Sequence, residues 1–583
     1  MAVIFVVNAV VCLLIGTSVQ NLVLAHVYLI SSYVVGRFVM RTTGQTLPEG
    51  FRVIPTTVLG VSCYMTFLAV VLHLLTASTT LTWVGRIAVW LPTIVLVLNY
   101  LRRQFFSPHN DVKHEIDNRT LLARMLDACT RNRPNCWKVW ENGACLGVEV
   151  DLAKTSIAVF AMLMVTCTYY GFQNNYTDAV VKRVTQRFIN ASPSVPIVTD
   201  SMAIELKQNP RLANWGIQGD KPYHLMLMTG DVISKGFPSA SFLRRGVQLA
   251  TMAPAVSKTE FQLHDHVQIF KVLAFYIWFA LLFSLYVIGR DSFKLRGAYL
   301  AFAVITPVLF AAINYPPWRA SGSTYAGFAK PFLGAFHNST LHLSMVVAMV
   351  GFCFVFSYFQ KRTESLWLGM VFIALSFFFK PSLFSIAAPA LVVVTVLAVV
   401  LRQVKYTALF ALFPLFLVPL LCNGYFYFLT FRETNLSPIV RPFMRYFKYA
   451  RSRFPEFITE NEFLFAVTIL ILSFALPLFV MFANLKRIKS VISNPVTQIT
   501  LITFLLGTVS AFVLVENNNR MSHGNFSWAG QCAYFVLLPL VMKGLQNIEQ
   551  GHYKSICWTL LALHLIAGFQ HLWLFTVHSK LIG

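Results

Sequence analysis

From Ser365 to Lys405 the chain reads SLWLGMVFIALSFFFKPSLFSIAAPALVVVTVLAVVLRQVK. Two apolar runs, 365–379 and 384–402, are separated only by Lys380-Pro381-Ser382, and the second ends at Arg402 and Lys405. About 20 residues of helix cross the roughly 30 Å hydrocarbon core of a bilayer, so the stretch reads as a hairpin of membrane helices. A lysine inside so apolar a hairpin is costly unless it is paired or reaches the interface. Lys380 therefore reads either as a snorkelling side chain or as a phosphate contact.

Comparable runs lie on both sides, at 3–16, 20–37, 53–76, 80–101, 155–172, 269–289, 298–314, 339–359, 406–430, 462–482, 497–516, 528–543 and 555–577. The expected fold class is all-α, a polytopic transmembrane bundle of about 14–15 helices, the first two runs being either two helices or one broken helix. Of the 583 residues, 56% are hydrophobic and only 12% charged, too few charges to cover a soluble protein of this size. The first run lacks a basic leader and a small-residue cleavage site, so it reads as retained helix and not as a signal peptide. The chain divides into an N-terminal transmembrane unit at 1–101, a linker at 102–154 expected to be partly helical, and a membrane module at 155–583.

The formal net charge is +24, but Lys and Arg sit mostly between apolar runs. That distribution points to membrane topology and an anionic ligand or lipid headgroup, not to nucleic acid. With 102–154 placed in the cytoplasm, every second short connection should be basic. Arg290/Lys294/Arg296, Lys361/Arg362, Arg402/Lys405, Lys486/Arg487/Lys489 and Lys543/Lys554 follow that rule. The N-terminus is then expected to be cytoplasmic, and the segments 173–268, 315–338, 431–461 and 517–527 to be extracytoplasmic. No internal repeat is evident, which weighs against an inverted-repeat transporter. Cys63, Cys167, Cys353, Cys422, Cys532 and Cys557 read as thiols in or beside membrane runs, and Cys129, Cys136 and Cys145 lack a common zinc spacing.

The polar residues that need explaining lie on the expected outer face. Val180, Val181, Val184 and Phe188 beside Lys182, Arg183 and Arg187 have helical spacing with a basic face, either an interfacial helix near lipid phosphates or a helix packed on the protein core. Asp220 and His224 flank Pro222, a carboxylate and imidazole that either act as general base and partner, ligate a metal, or merely form a turn. His264-Asp265-His266 is the weak candidate for a divalent metal ion. Lys330, His337 and Asn338 follow the proline-rich Asn314-Tyr315-Pro316-Pro317-Trp318. Arg441, Arg445, Lys448 and Arg451 are spaced as one helical stripe, an anion surface or a solvated face. Glu516 to Trp528 forms a dense polar knot between two runs, with Arg520, His523 and Asn525 as hydrogen-bonding groups and Trp528 as a stacking platform.

As a set, these features resemble the GT-C superfamily of membrane glycosyltransferases over about residues 155–577. The motifs Gly219-Asp220-Lys221-Pro222-Tyr223-His224, Phe336-His337-Asn338-Ser339-Thr340, Phe379-Lys380-Pro381-Ser382 and Arg520 to Trp528 look like those of a poorly characterised bacterial group within it. The resemblance implies a large first extracytoplasmic loop after the first of the eleven runs counted from 155 onward, and a polyprenyl-phosphate-linked sugar as donor. It further implies a glycan or lipid acceptor and an inverting transfer driven by a carboxylate base. The family places its acidic residue soon after the first helix of the module, a position Asp178 fits better than Asp220, and the chain has no DxD motif. Surface-glycan assembly at a bacterial inner membrane is the expected role. A lipid-linked glycan transporter and a glycan polymerase or ligase are the alternatives.

Overall fold

The computed structural model describes residues 2–42, 54–60, 137–141, 144–148, 160–171, 263–313, 339–360, 366–420, 438–440, 455–487, 493–516, 525–549 and 551–577, with four isolated positions between 91 and 98. The chain is predominantly helical. In order come α1 (Ala2–Leu14), α2 (Val19–Thr42), α3 (54–60), the strands β1 (Trp137–Glu141) and β2 (Ala144–Val148), and α4 (Phe160–Gly171). Next are α5 (Leu263–Val287), continued by a π turn at Ile288–Ser292, α6 (Gly297–Leu309), α7 (Ser339–Phe359), α8 (Leu366–Phe379), α9 (Pro381–Val400) and α10 (413–420). Strand β3 (Pro438–Val440), α11 (Glu456–Thr459), α12 (Glu462–Ala483), α13 (Pro495–Val513), strand β4 (Leu514–Glu516), α14 (Asn525–Asn547) and α15 (His552–Val577) complete it.

Six helices among the described residues are long and apolar enough to cross a membrane; they lie within α5, α7, α9, α12, α13 and α14. Their outward faces carry large exposed apolar side chains, among them Val393, Val396 and Val400 on α9 and Phe463, Ile471, Leu478 and Phe482 on α12. Apolar surface on that scale suits lipid and not water. The two N-terminal runs are separate helices, parted by a turn in which Gly16 adopts φ +81°.

Side-chain contacts fix the relative directions of the helices. Along α5 and α7, Trp278 meets His342, Ser284 meets Cys353 and Ser292 meets Gln360, so the two run parallel. Helix α8 returns against α7, Ser344 bonding to Ser376 and Gly351 lying against Gly369. Tyr534 meets Ser473 and Gly544 meets Asn484, which makes α12 and α14 parallel, while Tyr299 meets Trp558 and Leu309 meets Gly568, which does the same for α6 and α15. The ends of α5 and α7 and the connection into α6 share one face with the end of α14, where Gln546 bonds to Lys294 and Arg296. The described basic residues Arg290, Lys294, Arg296 and Lys543 thus gather on that face, and α7, α9 and α14 begin at the opposite one. The N-terminal helices join the module directly: Asn8 donates to the Val272 carbonyl, and His26 Nε2 lies 2.7 Å from the Tyr276 hydroxyl.

Three departures from the sequence reading are informative. The linker expected to be partly helical contains the antiparallel ladder β1–β2, Glu141 paired with Ala144 across two residues. The run 497–516 ends as helix at Val513, and Leu514–Glu516 pairs as β4 with β3. The run 298–314 ends as helix at Leu309, and Phe310, Ala311, Ala312 and Ile313 continue as buried extended chain. Such backbone is tolerated at membrane depth only when protein groups satisfy it. Here the Ala311 N–H donates to the His564 carbonyl, the Ala311 carbonyl lies 2.6 Å from His564 Nδ1, and the Ile313 N–H donates to Leu472.

Pro477 makes α12 the partner for this segment. A proline lacks the N–H that would bond the carbonyl four residues back, so Ser473 loses its helical donor. The Tyr534 hydroxyl supplies the missing bond at 2.7 Å. The neighbouring Leu476 N–H donates to His564 Nε2, which makes the ring Nδ1–H the donor to Ala311. We expect Tyr534→Phe to lower stability by about 1–2 kcal/mol, since it strands a buried carbonyl. Thermal unfolding of the detergent-purified protein reads this out, and an unchanged midpoint would contradict it.

Candidate functional site

The sequence allots a single residue to the hairpin between α8 and α9. Pro381 occupies the first position of α9, where a missing N–H costs nothing, and it forces the preceding residue out of helical geometry. Lys380 is accordingly extended, with φ −163° and ψ 129°. Its N–H still donates to Ser376, and its carbonyl accepts from the Ser344 hydroxyl of α7 at 2.8 Å. The same hydroxyl lies 3.0 Å from the Ser376 carbonyl, so α7 holds the hairpin from the side.

The Lys380 side chain does not escape into water. The residue is 5% exposed, and its Nζ sits 3.1 Å from the centroid of the Trp528 ring in the first turns of α14. A desolvated ammonium over an indole gains about 2 kcal/mol, against about 2.5–3.5 kcal/mol for a lysine at bilayer depth. Cys532, one turn further along α14, lies within electrostatic range of the same charge. The N-termini of α7, α9 and α14 open on this face, and helix N-termini add positive potential and free N–H groups. Together these groups can hold an anion beside a flat aromatic surface.

Two further motifs are drawn to the same end. Val440 pairs with Leu514, Ile439 with Val515 and Pro438 with Glu516. The chain that enters the Arg441 stripe is therefore tied to the chain that enters the Arg520 knot. Glu516 closes β4 and Asn525 opens α14. Lys380 and Trp528, which sequence alone placed in unrelated motifs, are in direct contact.

His264, Asp265 and His266 lie in the first turn of α5. Among the described residues, no group of three or more His, Cys, Asp or Glu is placed to hold a metal ion. Asp178, Asp220, His224, Lys330, His337, Asn338, Arg441, Arg445, Arg520 and His523 lie outside the described residues.

The structure also adds residues that sequence reading passed over. His342 is buried in the first turns of α7 with its ring 4.3 Å from that of Trp278. Gln531, three positions after Trp528 on α14, is 8% exposed, and its Oε1 meets no hydrogen-bond donor. The signal for Gln531 was its helical spacing from Trp528 within an otherwise apolar run. No family model, curated protein or solved structure matches the chain.

Proposed function

We propose that the protein is a multi-pass membrane glycosyltransferase of the GT-C type, transferring sugar from a polyprenyl-phosphate donor in surface-glycan or lipopolysaccharide assembly. The observation that carries this reading is the buried Lys380 ammonium on the Trp528 ring, at the face where α7, α9 and α14 begin. A phosphate at the membrane surface needs a desolvated cation, and a sugar needs a flat apolar platform; this pair offers both. In our reading that face is extracytoplasmic, the opposite basic face and the N-terminus are cytoplasmic, and the membrane is a bacterial inner membrane.

In the reaction, an acceptor hydroxyl attacks the anomeric carbon as the bond from that carbon to the phosphate oxygen breaks. The hydroxyl proton passes to a carboxylate, and the bonding pair leaves on polyprenyl phosphate, so the product has inverted configuration. Lys380 stabilises the charge that grows on the departing phosphate. Asp178 and Asp220 are the two candidates for the base. A divalent metal ion is not required by these steps.

A transporter would need a polar route across the whole bilayer. Helix α13 does carry a buried stripe of Thr497, Thr500, Thr503 and Ser510. Packing closes it: a Cβ on Gly507 of that stripe would lie 2.7 Å from the Cβ of Ala533. This favours the enzyme over the transporter. The test is transfer from a polyprenyl-phosphate sugar by the protein in liposomes, with Asp220→Asn and Asp178→Asn compared. The base variant should keep donor binding and lose about 10²–10⁴-fold in transfer. Full transfer by both variants would remove carboxylate catalysis from this loop, and absence of transfer by the wild type would favour transport.

A further inference from the structure

Trp528, Gln531, Cys532 and Tyr534 can be placed around the axis of α14 by helical periodicity. Taking Trp528 as the direction of α9, Cys532 lies about 40° to one side and Gln531 about 60° to the other. Ala529 and Ala533, at about 100° and 140°, are the residues that meet Gly507 of α13. Tyr534, at about 240°, meets Ser473 of α12 and the Phe310 ring of the extended segment after α6. Gln531 therefore lies between the side of α14 that touches Lys380 and the side that touches α12 and Phe310. It sits about 4.5 Å deeper along the axis than Trp528.

A buried amide oxygen without a donor is costly, and nearly all such oxygens in folded proteins are satisfied. The Oε1 of Gln531 is buried and meets no donor among the described residues. We infer that Gln531 is a ligand-reading residue of the Lys380–Trp528 site, its Oε1 accepting a hydrogen bond from a hydroxyl group carried next to the phosphate. This inference rests on the anion site proposed above and names the ligand class more closely: a phosphate ester bearing a hydroxylated group. A polyprenyl-phosphate sugar and a hydroxylated phospholipid headgroup share that chemistry. Lys380 reads the charge common to both, and Gln531 discriminates between ligands with and without the hydroxyl.

The experiment measures binding to the full-length protein in detergent, comparing polyprenyl phosphate with polyprenyl-phosphate hexose, and phosphatidic acid with phosphatidylglycerol. The wild type should prefer the hydroxylated member of the polyprenyl pair by about tenfold. Gln531→Met should erase that preference while leaving bare polyprenyl phosphate bound as in wild type, which also shows that the variant is folded. A Gln531-dependent preference confined to the phospholipid pair keeps the assignment of Gln531 and overturns the glycosyl-donor reading. A preference that survives Gln531→Met overturns the inference. So does loss of bare polyprenyl phosphate by that variant, which would make Gln531 a packing residue. If the wild type binds the two members of each pair equally, the anion site stands and the role of Gln531 falls. If it binds none of the four, both fall.

Discussion

Replacing Lys380 by Met is expected to weaken polyprenyl-phosphate binding and lower transfer by about a hundredfold or more. Removing one partner of a buried, hydrogen-bonded charge pair costs about 2–5 kcal/mol, much of it because the other charge is left without a counterion. Met keeps the stem volume and leaves the backbone links untouched, since the Lys380 N–H and carbonyl, not the ammonium, bind Ser376 and Ser344. The fold should therefore persist. Lys380→Arg should retain part of the activity, because the charge remains but a planar fork replaces a point cation above the indole. Trp528→Leu removes the ring that holds the ammonium and should cost about tenfold. Lipid-phosphate binding and liposome transfer, measured with thermal stability for each variant, check these outcomes. A fully active Lys380→Met would withdraw the anion site.

The second large effect is structural. Gly568→Ala should destabilise the protein by about 3 kcal/mol or more, enough to prevent its accumulation as a monodisperse species in detergent. A Cβ at Gly568 would overlap the backbone carbonyl of Leu309, not a side chain that could swing aside. Nor can Leu309 retreat, because Ala311 and Ile313 just beyond it are hydrogen-bonded to α15 and α12. Gly171 offers the matched control. Among the described residues nothing lies within 4 Å of the place its Cβ would take, so Gly171→Ala should be neutral or slightly stabilising. Size-exclusion profiles and melting curves of the two variants separate the outcomes, and equal behaviour would refute the close crossing.

Much of this arrangement was legible as hydropathy. The hairpin at 365–402 could be read because apolar runs of membrane length meet at Lys380-Pro381, and proline dictates where the second helix starts. The alternating basic connections group the ends of α5, α7 and α14 together, as the contacts among the described residues do. Hydropathy failed where apolar chain is not helix. Phe310-Ala311-Ala312-Ile313 looks like helix in sequence, and what holds it outside the helix is hydrogen bonding of Ala311 and Ile313 to residues more than 150 positions away. Short apolar runs such as Leu514-Val515-Glu516 are ambiguous in the same way. The β1–β2 ladder did leave a local signal in Trp137 to Val148, where β-formers surround Asn142-Gly143, a dipeptide typical of tight hairpins.

For the candidate site, residue types were legible and their meeting was not. Lys380 and Trp528 each draw attention as polar or amphipathic groups at a helix start, but no spacing rule links positions 148 residues apart. Gln531 was harder still, because one amide in an apolar helix becomes informative only when its oxygen is found without a donor.

The junction around His564 also bears on how this protein can move. One imidazole bonds to α12 through Leu476 and to the segment after α6 through Ala311, while Ile313 grips Leu472 and Tyr534 of α14 grips Ser473. Four elements therefore share their backbone hydrogen bonds at a depth where water cannot substitute for a broken one. Prolines in membrane helices often serve as swivels, but the swivel at Pro477 is clamped on every freed group. Rigid-body displacement of α12 against α6, α14 or α15 would have to break several bonds at once. Any motion of α12 therefore has to carry the whole junction with it as one body.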